Sequence, residues 1–455
     1  MSMKKRQWMM TAIRPLVLIM VFCGLMGTFS ACSNDDNPSV DKVTKPGTAT
    51  RSYELAPKVV SERSIVGLQN LAGGMLATDV KQIIVEYTSV GPDMKTPIRL
   101  TGSISMNPDV YSKVSAPRSV VVYNEFTNTK HRERASQDEY DELSFYCNEM
   151  QDHIVLAADL YGWTLTENKP QTYCCTEIIG IETLDFYDAA MKVLDELGYP
   201  QQGLPRFNVG YSGGGFSAMA VQKFVDENRP DIEFAVTAAG AAPFNITSVY
   251  KQVVNAGVSG YPCAMPLVVV SFNETFNLNL DYKDIFAQPL ANNVDKWILS
   301  KDYNSWEINE LIAGDKETAG NCEMSKILTP QAKDFNSDIS KKMVKVFQQN
   351  SLCGDGINWQ PSKKTQFFIL HSAGDTYMDW HVGKEMADYL KAKGCQVDSD
   401  FNDYGGHVEY GGLVFTIYAL LGFEAVIDPE GTAIKNWLNG LFEDLDEEDM
   451  GDLFD

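Results

Sequence analysis

The stretch FNVGYSGGGFSAMA, residues 207–220, sets a serine at the centre of a G-x-S-x-G pentapeptide. The five letters alone decide little, because ordinary glycine usage produces such a match in roughly one chain in six of this size. Their setting decides. RFNVGYS, 206–212, has the β-branched and apolar character of a buried strand, and GGGFSAMAVQKFV then opens a helix. A strand-to-helix turn that sharp has room only for neighbours without side chains. Gly210 and Gly214 supply that room, and Ser212 is expected in a strained backbone conformation with its hydroxyl lifted above the sheet edge. The free N–H groups of the first helical turn, that of Gly213 above all, would face any oxyanion formed beside the serine.

A serine hydroxyl is a weak nucleophile at neutral pH and needs a base, which in turn needs an orienting acid. The chain has five histidines. His153 opens one strand run and His371 lies on another, which reads as structural for both. His381 sits at a helix start, and His131 lies in the polar loop NTKHRERAS. His407 differs: NDYGGHVEYGG places it in a glycine-flanked loop after the last strand, suited to lean over the sheet's C-terminal edge. It is the candidate base. For the acid, Asp375 ends FFILHSAGD just before a helix; Asp379 is the alternative, with Asp355 and Asp403 behind it. The order Ser212, Asp375, His407 is serine–acid–histidine, and each residue falls at the C-terminal end of a strand, where open α/β sheets hold their ligands.

Working outward, KQIIVEYTSV and PIRLTGSISMN flank GPDMKT as an antiparallel hairpin. SVVVYNEFT, HIVLAADLYG, RFNVGYS, EFAVTAAGA, TQFFILHSAGD and CQVDSDFND follow as strands, separated by helical patterns such as ETLDFYDAAMKVLDELG and VGKEMADYLKAKG. This alternation predicts an α/β fold, a mostly parallel central sheet covered by helices on both faces. From about Asn245 to Lys364 the rhythm stops. DKWILSKDYNSWEINELIAG and DISKKMVKVFQQNS read as helices there, which predicts an inserted, largely helical cap.

The 455 residues carry a formal net charge of −23, which argues against nucleic acid as a partner. Lys4, Lys5 and Arg6 precede the apolar run LVLIMVFCGLMG and the small residues of FSAC, the pattern of a secretory signal. Ser30-Ala31-Cys32 resembles a bacterial lipobox, which implies lipidation at Cys32, membrane attachment and display at the cell envelope. The expected organisation is a signal peptide over 1–31 and a polar tether over 32–52. A core over 53–244 and 365–440 follows, with a cap over 245–364 and an acidic tail over 441–455. Seven cysteines follow Cys32, an odd number; no C-x-x-C pair or His–Cys cluster suggests a metal, and no cofactor is expected.

From about Val80 to Gly422 the chain resembles the α/β-hydrolases, and within them the secretory lipase/esterase branch. LTGSISMNP, AADLYGW, AAGAAPFNI and FQQNSLCGDGINWQPSKKTQFFILHSAGD carry the likeness. The resemblance implies a metal-free carboxylic ester hydrolase with a serine triad. One loop departs from it: YNEFTNT has Glu125 and Phe126 where the branch has His-Gly, so the Phe126 N–H is the expected second oxyanion donor and the carboxylate is expected to narrow the site. Two other readings stay open, a serine peptidase of the same fold and a non-catalytic lipoprotein that binds glycans or lipids. Amide against ester turnover separates the first, and reaction with a serine-directed probe separates the second.

Overall fold

The computed structural model describes residues 51–65, 79–137, 146–147, 152–408 and 412–430. Cys32, the segments read as signal peptide and acidic tail, and most of the tether lie outside them. Nine strands form one sheet in the order β1-β2-β3-β5-β4-β6-β7-β10-β11. β1 (Lys58–Ile65), β2 (Val80–Val90) and β3 (Pro97–Met106) are antiparallel, and β3 joins β5 (His153–Ala158) in the same sense. From β5 onward every pairing is parallel, through β4 (Ser119–Asn124), β6 (Arg206–Tyr211), β7 (Val236–Gly240), β10 (Gln366–Leu370) and β11 (Gln396–Asp400). β4 and β5 are buried at every position, as continuous apolar strands of a doubly covered sheet must be.

Two cores lie on opposite faces. α1 (Thr176–Glu196), α2 (Gly213–Asn228) and α7 (His381–Ala392) contribute to one, with Phe186, Phe216 and Met386. α8 (Gly412–Ile427) covers the other, where Phe423 stacks on Phe207 of β6 at 4.3 Å between ring centroids.

Between β7 and β10 the chain leaves the sheet and is mainly helical. α3 (Ile246–Ala256) starts on the Asn245 side chain, which accepts the Ser248 N–H, and stops at Gly257, φ 74°. α4 (Ala264–Thr275), α5 (Ser305–Ala313) and α6 (Asp338–Asn350) follow, with a two-residue pairing of β8 (Val258–Ser259) on β9 (Cys322–Glu323). The helix expected over DKWILSKDYNSWEINELIAG is divided. A wide turn covers Asp295–Leu299, Lys301 takes φ 59°, and α5 restarts on an Asn304–Glu307 capping box. The cap residues terminate one helix and begin another where apolar spacing alone reads as continuous.

Candidate active site

Ser212 closes β6 and caps α2 with φ 56° and ψ −125°, a conformation that costs a non-glycine residue about 1–3 kcal/mol. The crossing that holds it is tight. A Cβ on Gly210 would lie 2.1 Å from the Gly214 carbonyl oxygen, and one on Gly214 the same distance from that of Asn124. Both glycines are therefore needed for α2 to cross β4 and β6 at this point.

His407 Nε2 stands 2.8 Å from Ser212 Oγ, and His407 Nδ1 stands 2.6 Å from Asp375 Oδ2. Residues from three separate loops thus meet in one hydrogen-bonded chain. His407 is 5% exposed. Tyr211 donates its hydroxyl to the His407 carbonyl at 2.8 Å, and the imidazole lies between the rings of Tyr211 and Tyr377, at centroid distances of 5.1 and 4.8 Å. Asp375 Oδ1 accepts the N–H groups of Tyr377 and Met378, while Oδ2 also faces His371 Nε2 at 3.0 Å. Burial alone would raise the Asp375 pKa. The hydrogen bonds from His371 and His407 outweigh it and hold the carboxyl well below the usual carboxylate range.

The other candidates lie elsewhere. Asp379 pairs with the exposed His381, while Asp355 and Asp403 are exposed. His153 is buried against Ser119 at 2.7 Å, and His131 faces Glu167 at the surface.

The loop after β4 carries Phe126, the residue expected to give the second main-chain donor, next to Thr127. Thr127, not Phe126, lines the cavity beside Ser212 and His407. A Cβ on Gly213 would lie 2.6 Å from Thr127 Oγ1 and 3.3 Å from Thr127 N, so this threonine packs closely on the first residue of α2. Phe126 is 42% exposed and borders a second void of about 30 Å³ together with Gly213, Arg134 and Ser217. Glu125 does not narrow the site either. Its buried carboxylate turns into its own loop, accepting Ala135 N–H at 3.0 Å and Asn128 Nδ2 at 2.7 Å, with Arg134 Nη2 at 3.4 Å. Sequence reasoning also missed Tyr377 and the contact of His371 with Asp375.

The cavity over Ser212 has a volume of about 70 Å³. Ile246, Val249 and Val253 of α3, Met265 and Val268 of α4, and Met324 line it, and among the described residues no Asp, Glu, Lys or Arg does. Tyr250 turns its hydroxyl away, to Ala332 O and Ser340 Oγ, and leaves the cavity the apolar ring. Among the described residues no cluster of His, Cys, Asp and Glu is placed to hold a metal, and the seven cysteines are free thiols, six of them buried.

No protein-family model and no curated protein matches the chain. Solved structures do. A putative hydrolase from Legionella pneumophila superposes with a TM-score of 0.65 at 15% identity, over 82% of this chain and 98% of its own. The rice cell wall degrading esterase LipA from Xanthomonas oryzae gives 0.64 at 18%, over 83% and 98%. Candida antarctica lipase A in its closed state gives 0.54 at 12%, over 80% and 82%. With its mostly parallel sheet and helices on both faces, the chain has the α/β-hydrolase fold.

Proposed function

We propose that the protein is a serine-dependent carboxylic ester hydrolase that works by an acyl-enzyme. The observation that carries this reading is the Ser212–His407–Asp375 chain, with contacts of 2.8 and 2.6 Å at the mouth of an apolar cavity. Ser212 Oγ bonds to the ester carbonyl carbon as His407 takes its proton, and the N–H groups of Gly213 and Thr127 receive the oxyanion. His407 then protonates the leaving alcohol as the carbon–oxygen bond breaks. Water, deprotonated by His407, attacks the acyl-enzyme; the acid leaves and Ser212 recovers its proton. Asp375 fixes the ring and stabilises the imidazolium at each stage. The uncharged lining of the cavity favours an apolar acyl group.

The lipobox-like Ser30-Ala31-Cys32 supports attachment of the enzyme to the cell envelope through a lipidated Cys32. The test is nitrophenyl acyl ester hydrolysis by the full-length chain beside Ser212→Ala, with a fluorophosphonate probe. The wild type is expected to turn over and label, and the variant to do neither. Labelling that persists in the variant removes Ser212 from the role. Preference for a peptide anilide over the ester would replace the esterase reading with a peptidase.

A further inference from the structure

The acid of the triad holds a second imidazole. His371 follows β10 directly, and its Nε2 lies 3.0 Å from Asp375 Oδ2, the oxygen that also meets His407. The His371 and Asp375 side chains are both fully buried. With Tyr377 and Met378 N–H groups on Oδ1, the carboxylate has two donors on each oxygen. It can neither rotate nor turn to water.

Donation to Oδ2 requires the ring hydrogen on Nε2, which leaves Nδ1 bare. Nδ1 has no hydrogen-bond partner among the described residues. The helix behind it explains why: a Cβ on Gly383 of α7 would lie 2.9 Å from His371 Nδ1 and 2.8 Å from His371 Cβ. A glycine at this place lets α7 press its backbone onto the ring. Hydrogen on Nδ1 instead would bury a donor with no acceptor and leave Oδ2 a donor short, and each change is unfavourable. The packing and the carboxylate therefore select the same tautomer.

We propose that His371 is a positioning residue for the triad: it donates from Nε2 to Asp375 Oδ2 and so fixes the oxygen that orients His407. The inference rests on the Ser212–His407–Asp375 reading. Because His371 touches neither the cavity nor Ser212, its loss acts on the step in which His407 carries charge and not on substrate binding.

The test uses the full-length chain with His371→Phe, which keeps a ring and removes the donor, and His371→Gln, whose side-chain NH₂ reaches the Nε2 position. With a nitrophenyl ester, His371→Phe is expected to lower kcat roughly 10- to 100-fold with KM within about twofold, and His371→Gln to recover most of that loss. A folded His371→Phe with wild-type kcat overturns the proposal. So does equal impairment of the two folded variants, which would make the role one of packing. Where the phenylalanine variant does not fold, ¹⁵N-histidine NMR of the wild type decides: hydrogen on Nε2 supports the assignment and hydrogen on Nδ1 overturns it. A wild type that hydrolyses no ester defeats the functional reading instead, and the NMR result still tells whether the His371–Asp375 bond exists.

Discussion

Asp375 and Asp379 stand four residues apart and serve different histidines. Asp375 meets His407 inside the site at 2.6 Å, whereas Asp379 pairs with His381 at the exposed start of α7. Asp375→Asn keeps the shape but places an amide where a carboxylate must accept from His407, and kcat should fall about 10³- to 10⁴-fold. Asp379→Asn should leave kcat within about twofold, because only a first-turn contact on α7 changes. Steady-state rates of the two variants on one ester check both statements. The opposite ranking would hand the acid role to Asp379.

Glu125 offers a stability test that reaches the chemistry. Its carboxylate ties Ala135, Asn128 and Arg134 together behind the loop that presents Thr127. Glu125→Ala leaves Arg134, itself buried, without that partner, and breaking a buried ion pair costs about 3–5 kcal/mol. Thermal melting should show a lowered Tm. With the loop loosened, kcat should drop by roughly tenfold, a fraction of the 10²–10³ that one lost oxyanion donor costs. Unchanged melting and turnover would mean that the loop holds its shape without this carboxylate.

What could be read from the chain and what could not differ for physical reasons. Ser212, Asp375 and His407 were legible because each must end a strand or sit in a glycine-flanked loop at the same sheet edge, and local composition reports that. That Thr127 lines the cavity was not legible, because the path of a loop depends on where its side chains are anchored. The anchors of Glu125, at Asn128, Arg134 and Ala135, make no periodic pattern. His371 read as structural because only the folded chain shows that its partner is Asp375. β1 was not called: KVVSERSI is exposed over most of its length and lacks the alternation that marks a half-buried strand. Lys301 falls inside DKWILSKDYNSWEINELIAG, read as helical, and its burial depends on a left-handed backbone between two helices that apolar spacing does not report.

That lysine supplies a pH signature. Its Nζ donates to the carbonyls of Glu167 and Lys169 at 2.8 and 2.7 Å, and its own carbonyl accepts the His131 N–H of the loop after β4 at 2.9 Å. Burial lowers its pKa from 10.5 to about 8, with the Glu167 charge opposing. Below about 8 the amine is charged in both states and the folded state carries the full burial penalty. Between about 8 and 10.5 the unfolded chain binds the proton more strongly, so stability rises with pH over that window. Lys301→Met lacks this dependence. The unfolding free energy of the wild type relative to the variant should rise by up to about 3 kcal/mol between pH 7.5 and 10.5 in urea titrations. A flat difference would show that Lys301 titrates as an exposed lysine does.

The apolar cavity predicts how rate depends on acyl length. Each buried methylene contributes about 0.8 kcal/mol, which is roughly fourfold in kcat/KM when the group is held in the transition state. Rates should therefore climb by about fourfold per added carbon and then level off once the cavity between α3 and α4 is full. Val268 lines that cavity from α4. Val268→Phe adds a ring to the space without touching Ser212, His407 or the oxyanion donors. The acetate ester should be hydrolysed within about threefold of the wild-type rate, while the plateau should arrive two or three carbons earlier, a loss of order tenfold or more for the longer esters. A chain-length series on both proteins reads this directly. Equal loss for every ester would mean that the substitution distorts the triad, and an unmoved plateau would mean that the acyl group lies elsewhere. The predicted pattern, with short esters spared and long ones lost, arises only if α3 and α4 form the wall that the acyl chain meets.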